Sequence, residues 1–199
     1  MTIQIEFYFD FVSPYSYLAA TQLPALTERT GAEIVFRPFR LLDLMKIVGN
    51  RPTTMECQNK GNYAGADIAR WAARYKVPFQ RNPHRRNFDY ATLGRGALVA
   101  IDQGRGASYV NLIFRVLFAG EQDLGDTAVF ASLLEQAGFD GAGLLRAAVG
   151  AEQIARLEQQ TADAAQRGVF GSPSFFVGDQ LFFGNDRLDF VTEAARAAA

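Results

Sequence analysis

Two hydroxyls, Ser13 and Ser16, flank Pro14-Tyr15 just after an alternating apolar stretch that ends at Phe9. Serine followed by proline starts a helix: the serine oxygen accepts a free backbone N–H, and proline suits the first helical position. The same hydroxyl carries a proton to donate. It stands where the unpaired N–H groups of a helix start make the local potential positive, so an anionic atom of a ligand would be favoured there. On these grounds Ser13 is open to both uses, cap and donor.

The elements that must position it follow from periodicity. Residues 3–9 alternate as a strand, 14 to about 30 read as a helix, and 32–39 are rich in β-branched and aromatic residues. A crossover of that length implies two parallel strands in one sheet. From 41 to 167 helices dominate. Ile68, Trp71, Ala72 and Tyr75 recur at helical spacing, as do Leu93, Ala97, Ala100 and Ile101, and Tyr109, Leu112, Ile113, Val116 and Leu117. Asp126 is a candidate cap for the Leu133-Leu134-Ala137 helix, and Leu144, Leu145, Ala148 and Val149, then Ile154 and Leu157, suggest two more. Residues 174–177 and 180–183, joined by Gly178-Asp179, read as a hairpin, and 186–198 as a closing helix. The order βαβ, helices, ββα predicts an α/β domain, 1–40 with 168–199, interrupted by an all-helical insertion domain, 41–167.

Composition narrows the class. The chain has 199 residues, 49% apolar and 21% charged, with a formal charge of −1. That balance is ordinary for a soluble globular protein and lacks the basic surface that nucleic acid requires. No apolar run approaches membrane-spanning length, and residues 1–6 lack the basic and apolar regions of a secretion signal. Cys57 is the single cysteine, which excludes an intramolecular disulfide and a cysteine metal cluster and fits a cytoplasmic setting. No metal site is expected. His84 lacks an arguable triad, Arg85-Arg86 reads as a solvated cluster, and Asp67 with Arg70 reads as a helix-surface pair.

Three stretches together are similar to one family: 10–19, beginning Asp10-Phe11-Val12-Ser13-Pro14, then Gly171-Ser172-Pro173-Ser174-Phe175, then Phe183-Gly184-Asn185-Asp186-Arg187-Leu188. They resemble the 2-hydroxychromene-2-carboxylate isomerases, which are grouped with kappa-class glutathione transferases and DsbA-like thioredoxin proteins. Weaker matches at Lys60-Gly61-Asn62-Tyr63, residues 67–72 and Asn82-Pro83-His84 carry the resemblance nearly end to end. It implies a thioredoxin-like fold. In thioredoxin-fold relatives a Cys-x-x-Cys pair stands at the helix start; here both positions are serine, so the thiol would come from glutathione.

The resemblance also implies roles. Ser13 would donate to the glutathione sulfur, and the Ser172 main chain, ahead of a cis Pro173, would bind the cysteinyl part. Phe183, Gly184, Asn185 and Asp186 would hold the γ-glutamyl end, although Asn185 and Asp186 could equally cap the last helix. A small aromatic carboxylate is the implied substrate, with Lys46, Lys60 and Asn82 the nearest matches for its binding residues. The implied protein is a cytoplasmic homodimer. A kappa-like transferase acting on electrophiles and a non-catalytic glutathione- or peptide-binding module remain open as alternatives.

Overall fold

The structure, a computed structural model, describes residues 2–198. Four strands, β1 (Gln4–Phe9), β2 (Glu33–Pro38), β3 (Ser174–Val177) and β4 (Gln180–Phe183), form one sheet in the order β2-β1-β3-β4. β1 runs parallel to β2 and antiparallel to β3, and β3 pairs antiparallel with β4 across the Gly178-Asp179 turn. The alternation in β1 sorts its faces. Ile5, Phe7 and Phe9 are fully buried in the main core, while Tyr8 joins Phe39, Leu44, Val169 and Phe176 in a second cluster. Phe7 stacks on Phe175 across the β1–β3 pair, with ring centroids 5.2 Å apart.

The first crossover is not the single helix that its spacing predicts. α1 (Pro14–Ala20) and α2 (Leu23–Thr30) are separate. Pro24 explains the break: it has no N–H for the Ala20 carbonyl, and its ring crowds that carbonyl in a continuous helix. α2 then ends at Gly31, whose φ of +69° suits glycine.

Eight helices lie between β2 and β3: α3 (Leu41–Ile47), α4 (Thr53–Glu56), α5 (Gln58–Tyr75), α6 (Tyr90–Asp102), α7 (Gly106–Ala119), α8 (Thr127–Gln136), α9 (Gly141–Ala148) and α10 (Ala151–Gln166). α7 is buried on more than one face, because Val110, Phe114 and Phe118 are inside together with the predicted Tyr109 stripe. Phe114 packs on Phe9, Phe11, Tyr17 and Phe118, so the helical segment and the sheet share one core. In α10 the inward face is Gln153, Leu157, Thr161 and Ala164, and Ile154 is exposed. Ile154 is one residue, about 100° of helix, away from that face. Val149 is likewise exposed, since it follows the end of α9.

After β4 a short 3₁₀ turn, Asn185–Arg187, precedes α11 (Leu188–Ala197), whose Leu188, Val191 and Ala195 are buried. Among the described residues no helix is long and apolar enough to cross a membrane.

Candidate active site

Ser13 caps α1: its Oγ accepts from Ser16 N at 3.2 Å, and its hydroxyl donates to Ser172 O at 3.1 Å. Ser172 Oγ accepts from Asp10 N at 3.0 Å and lies 2.6 Å from Ser16 Oγ. The Ser172–Pro173 bond is cis. Ser13, Ser16 and Ser172 are all buried, so a compact hydroxyl network ties the start of α1 to the segment before β3.

Asp10 anchors one edge of this network. Its carboxylate accepts from Val12 N at 3.1 Å and from Leu41 N at 2.7 Å, joining the loop before α1 to the start of α3. Desolvation pushes its pKa up to about 6, against the opposing pull of those two N–H groups and of Arg40. A folded value above the ordinary 3.8 means that the native state favours the protonated form. The stability linked to that form is fully present below about pH 4 and is lost as pH rises through about 6. The stability difference between the wild type and Asp10→Asn is therefore expected to move against the wild type by up to about 3 kcal/mol from pH 4 to pH 8. Urea unfolding across that range checks it, and a pH-independent difference would contradict the raised pKa.

The network opens onto a cavity of about 610 Å³ lined by Ser13, Pro14, Tyr15 and Ser172, by α3, by the 50–55 segment, and by one face of α5. That α5 face is Gly61, Ala64, Gly65 and Ile68, at helical spacing. A Cβ on Gly65 would meet nothing within 4 Å, so small residues make room there. Arg81, Arg85 and Tyr90 complete the wall with Leu117 and Phe118. Arg85 is exposed, as the sequence reading has it, and also lines the cavity. These residues were not singled out for a ligand role by sequence reasoning, although the small-residue spacing in α5 was a readable signal.

A second cavity of about 190 Å³ shares Tyr15, Ser172 and Phe183 with the first and adds Asp67, Trp71, Pro173, Gly184, Asn185 and Asp186. Tyr15 donates to Asp67 Oδ2 at 3.1 Å; Asp67 therefore serves the site, while Arg70 lies over the Tyr63 ring. Burial and the adjacent Asp67 hold the Tyr15 phenol well above its ordinary value, so it stays a donor. Gly184 has φ +107°, and a Cβ there would strike the Asp186 carboxylate, so glycine is required before the turn. Neither Asn185 nor Asp186 makes a side-chain cap. Asp186 pairs with Arg187 at 2.5 Å, and Asn185 is 3% exposed with its Nδ2 unpartnered. A buried amide donor without an acceptor fits a ligand carboxylate.

The predicted substrate residues are placed differently. Lys46 is exposed, pairs with Asp43 at 3.0 Å, and lines neither cavity. Lys60 lines neither of these two cavities but an open depression beside them, with Asn59 and Tyr63 and with Tyr15, Thr54 and Ala64 of the large cavity. Asn82 is fully buried: its Nδ2 donates to Val116 O and Gln122 O, and its Oδ1 accepts from His84 N. Its polar atoms are committed to the loop, which removes it from direct substrate contact. His84 Nδ1 lies 3.5 Å from Asp123, and Cys57 is exposed at the start of α5.

Comparison with known proteins places this arrangement. The model of the DSBA-like thioredoxin domain matches residues 4–196. A 2-hydroxychromene-2-carboxylate isomerase of Sphingobium xenophagum is 37% identical over 195 residues, covering 96% of this chain and 97% of the relative. The chain belongs to the 2-hydroxychromene-2-carboxylate isomerase family. A solved structure titled as a 2-hydroxychromene-2-carboxylate isomerase superposes with a TM-score of 0.86 at 29% identity, covering 98% of this chain and 96% of the other. Glutathione S-transferase kappa 1 of Caenorhabditis elegans is 37% identical over 81 residues, 40% of this chain and 35% of that protein. Membership in the isomerase family makes this chain an enzyme of the isomerase class on a DSBA-like thioredoxin fold.

Proposed function

We propose that this protein is a glutathione-dependent isomerase that interconverts 2-hydroxychromene-2-carboxylate and trans-o-hydroxybenzylidenepyruvate, or a closely related aromatic pair. The observation that carries the reading is the meeting of two unlike cavities at one hydroxyl network. The small one offers an orphaned amide donor and two carboxylates, suited to the charged γ-glutamyl end of glutathione. The large one is mostly apolar with arginines, suited to an aromatic carboxylate.

Ser172 O is the acceptor that a cysteinyl N–H would use, and Ser13 now donates to it. The carbonyl has room to accept from the ligand, and rotation of the Ser13 hydroxyl would aim its proton at the sulfur instead. The N–H groups at the start of α1 add positive potential there. Asn185 Nδ2 would donate to the γ-glutamyl carboxylate. Asp186 would share its charge between Arg187 and the ligand ammonium, at small cost because an exposed ion pair contributes about 0–1 kcal/mol. When bound, glutathione supplies a thiolate that adds reversibly to the conjugated substrate and so allows rotation about a former double bond.

The test is turnover of the chromene carboxylate by purified protein with and without glutathione, with glutathione recovered unchanged. Stoichiometric consumption of glutathione would instead favour the transferase reading, to which the kappa relative lends weight. Binding is checked separately. Glutathione at about 100 times its dissociation constant is expected to stabilise the protein by about 2.7 kcal/mol, and ophthalmic acid, which lacks the sulfur, should also stabilise it. No thermal shift with either at saturating concentration would sink the cofactor assignment. By the same family resemblance the protein is read as a cytoplasmic homodimer, and multi-angle light scattering on the purified protein checks the dimer.

A further inference from the structure

We infer that Arg81 and Arg85 form the subsite for the carboxylate of the aromatic substrate, and that Asn82 is the positioning residue that aims them. This inference rests on the isomerase reading above and names which residues meet the substrate's charge. The large cavity is lined by three arginines, Arg51, Arg81 and Arg85, and by no aspartate, glutamate, lysine or histidine. In a chain of net charge −1 that concentration of one sign selects an anionic ligand. Arg51 is paired with Glu56 at 2.9 Å, but that pair is exposed and weak, so Arg51 adds to the positive charge of the cavity. Among the described residues neither Arg81 nor Arg85 forms an ion pair. Burial raises the pKa of the half-buried Tyr90 phenol in the same wall; Arg85 and Arg81 act against that rise, and Asp10, behind the wall, acts with it.

The loop that carries them is firmly set. Gln80 N donates to Phe118 O at 2.7 Å, and Asn82 N donates to Leu117 O at 3.0 Å, so the loop lies along the end of α7. Asn82 turns inward and grips Val116 O and Gln122 O, and Arg85 N donates back to Asn82 O at 3.2 Å. Arg81, the neighbour of this inward anchor, and Arg85, bound to its carbonyl, are thereby held at the cavity. A planar guanidinium pair suits a carboxylate better than a single lysine point charge does.

The test compares a carboxylate with its uncharged amide. Calorimetry with glutathione present would measure binding of 2-hydroxycinnamate and of 2-hydroxycinnamamide to the wild type and to Arg81→Gln, Arg85→Gln and the double variant. Turnover of the chromene carboxylate would be followed in parallel. The double variant is expected to lose about tenfold to a hundredfold in carboxylate affinity and a similar factor in KM, with amide affinity nearly unchanged. Its glutathione affinity should stay within about twofold of the wild type. Asn82→Asp, which keeps the acceptor for His84 N but not the two donations, should show the same loss of carboxylate preference in part. An unchanged carboxylate-to-amide ratio in the double variant overturns the inference. So does a parallel fall in glutathione affinity, which would assign the arginines to the glycyl carboxylate of the tripeptide. Absence of glutathione-dependent turnover in the wild type would be a failure of the isomerase reading instead, and the calorimetric ratio reads the arginines independently of it.

Discussion

Replacing Ser13 with alanine is expected to cut glutathione-dependent turnover by about 10²-fold or more while weakening glutathione binding far less. The asymmetry follows from what the hydroxyl can stabilise. A free thiol with a pKa of about 8.5 is only a few per cent ionised at neutral pH. A donor aimed at the sulfur matters most for the charged form, and removing one such donor from a preorganised site costs on the order of 10²–10³ in rate. The rest of the tripeptide would keep its contacts with the Ser172 backbone and with the Asn185 turn.

The fold should tolerate the change. Ser13→Ala loses the bond from Ser16 N and leaves Ser172 O short of a donor, a cost of about 1–2 kcal/mol. Two measurements decide the matter: steady-state kinetics at saturating glutathione, and titration of the bound thiol by thiolate absorbance. The thiol pKa in the variant should rise toward the free value. Full activity with an unchanged bound-thiol pKa would reduce Ser13 to a helix cap.

Asn185→Ala is expected to separate binding from folding. Burying an amide donor without a partner costs about 1–3 kcal/mol, and Asn185 Nδ2 is such a donor in the protein as it stands. Removing it takes away that penalty along with some packing, so the variant should unfold within about 1 kcal/mol of the wild type. Glutathione affinity should fall by about tenfold to a hundredfold, the usual worth of a hydrogen bond to a charged group. Calorimetry gives the affinity and urea unfolding gives the stability. A variant that lost stability but kept its affinity would make Asn185 a structural residue of the turn.

Much of the scaffold was legible because it depends on local spacing. Alternation in β1, the serine–proline start of α1 and the Gly178-Asp179 turn each encode their geometry within a few residues. Pro24 was equally visible, and its effect on the helix before it is local too; the long helix expected there overlooked it. The faces of the later helices were less secure. Ile154 has the right residue type beside Leu157, but a choice between adjacent helical positions is made by the neighbour that the helix packs against.

Composition and motif order by themselves determined that this chain has no cysteine pair for disulfide exchange, a helix start bearing Ser13, and a polar turn at residues 184–186. Those are properties of single segments. Only the tertiary structure decided which segments meet. The large cavity draws on the loop before α1, on α3, α5 and α7, on the 81–90 loop and helix start, and on the segments around β3 and β4. Its arginines look like surface charges in isolation, and Asn82 looks like a ligand group until its hydrogen bonds to α7 are seen. Side chains separated by tens of residues acquire a common function only when packing fixes their directions, and periodicity within one segment carries no information about that convergence.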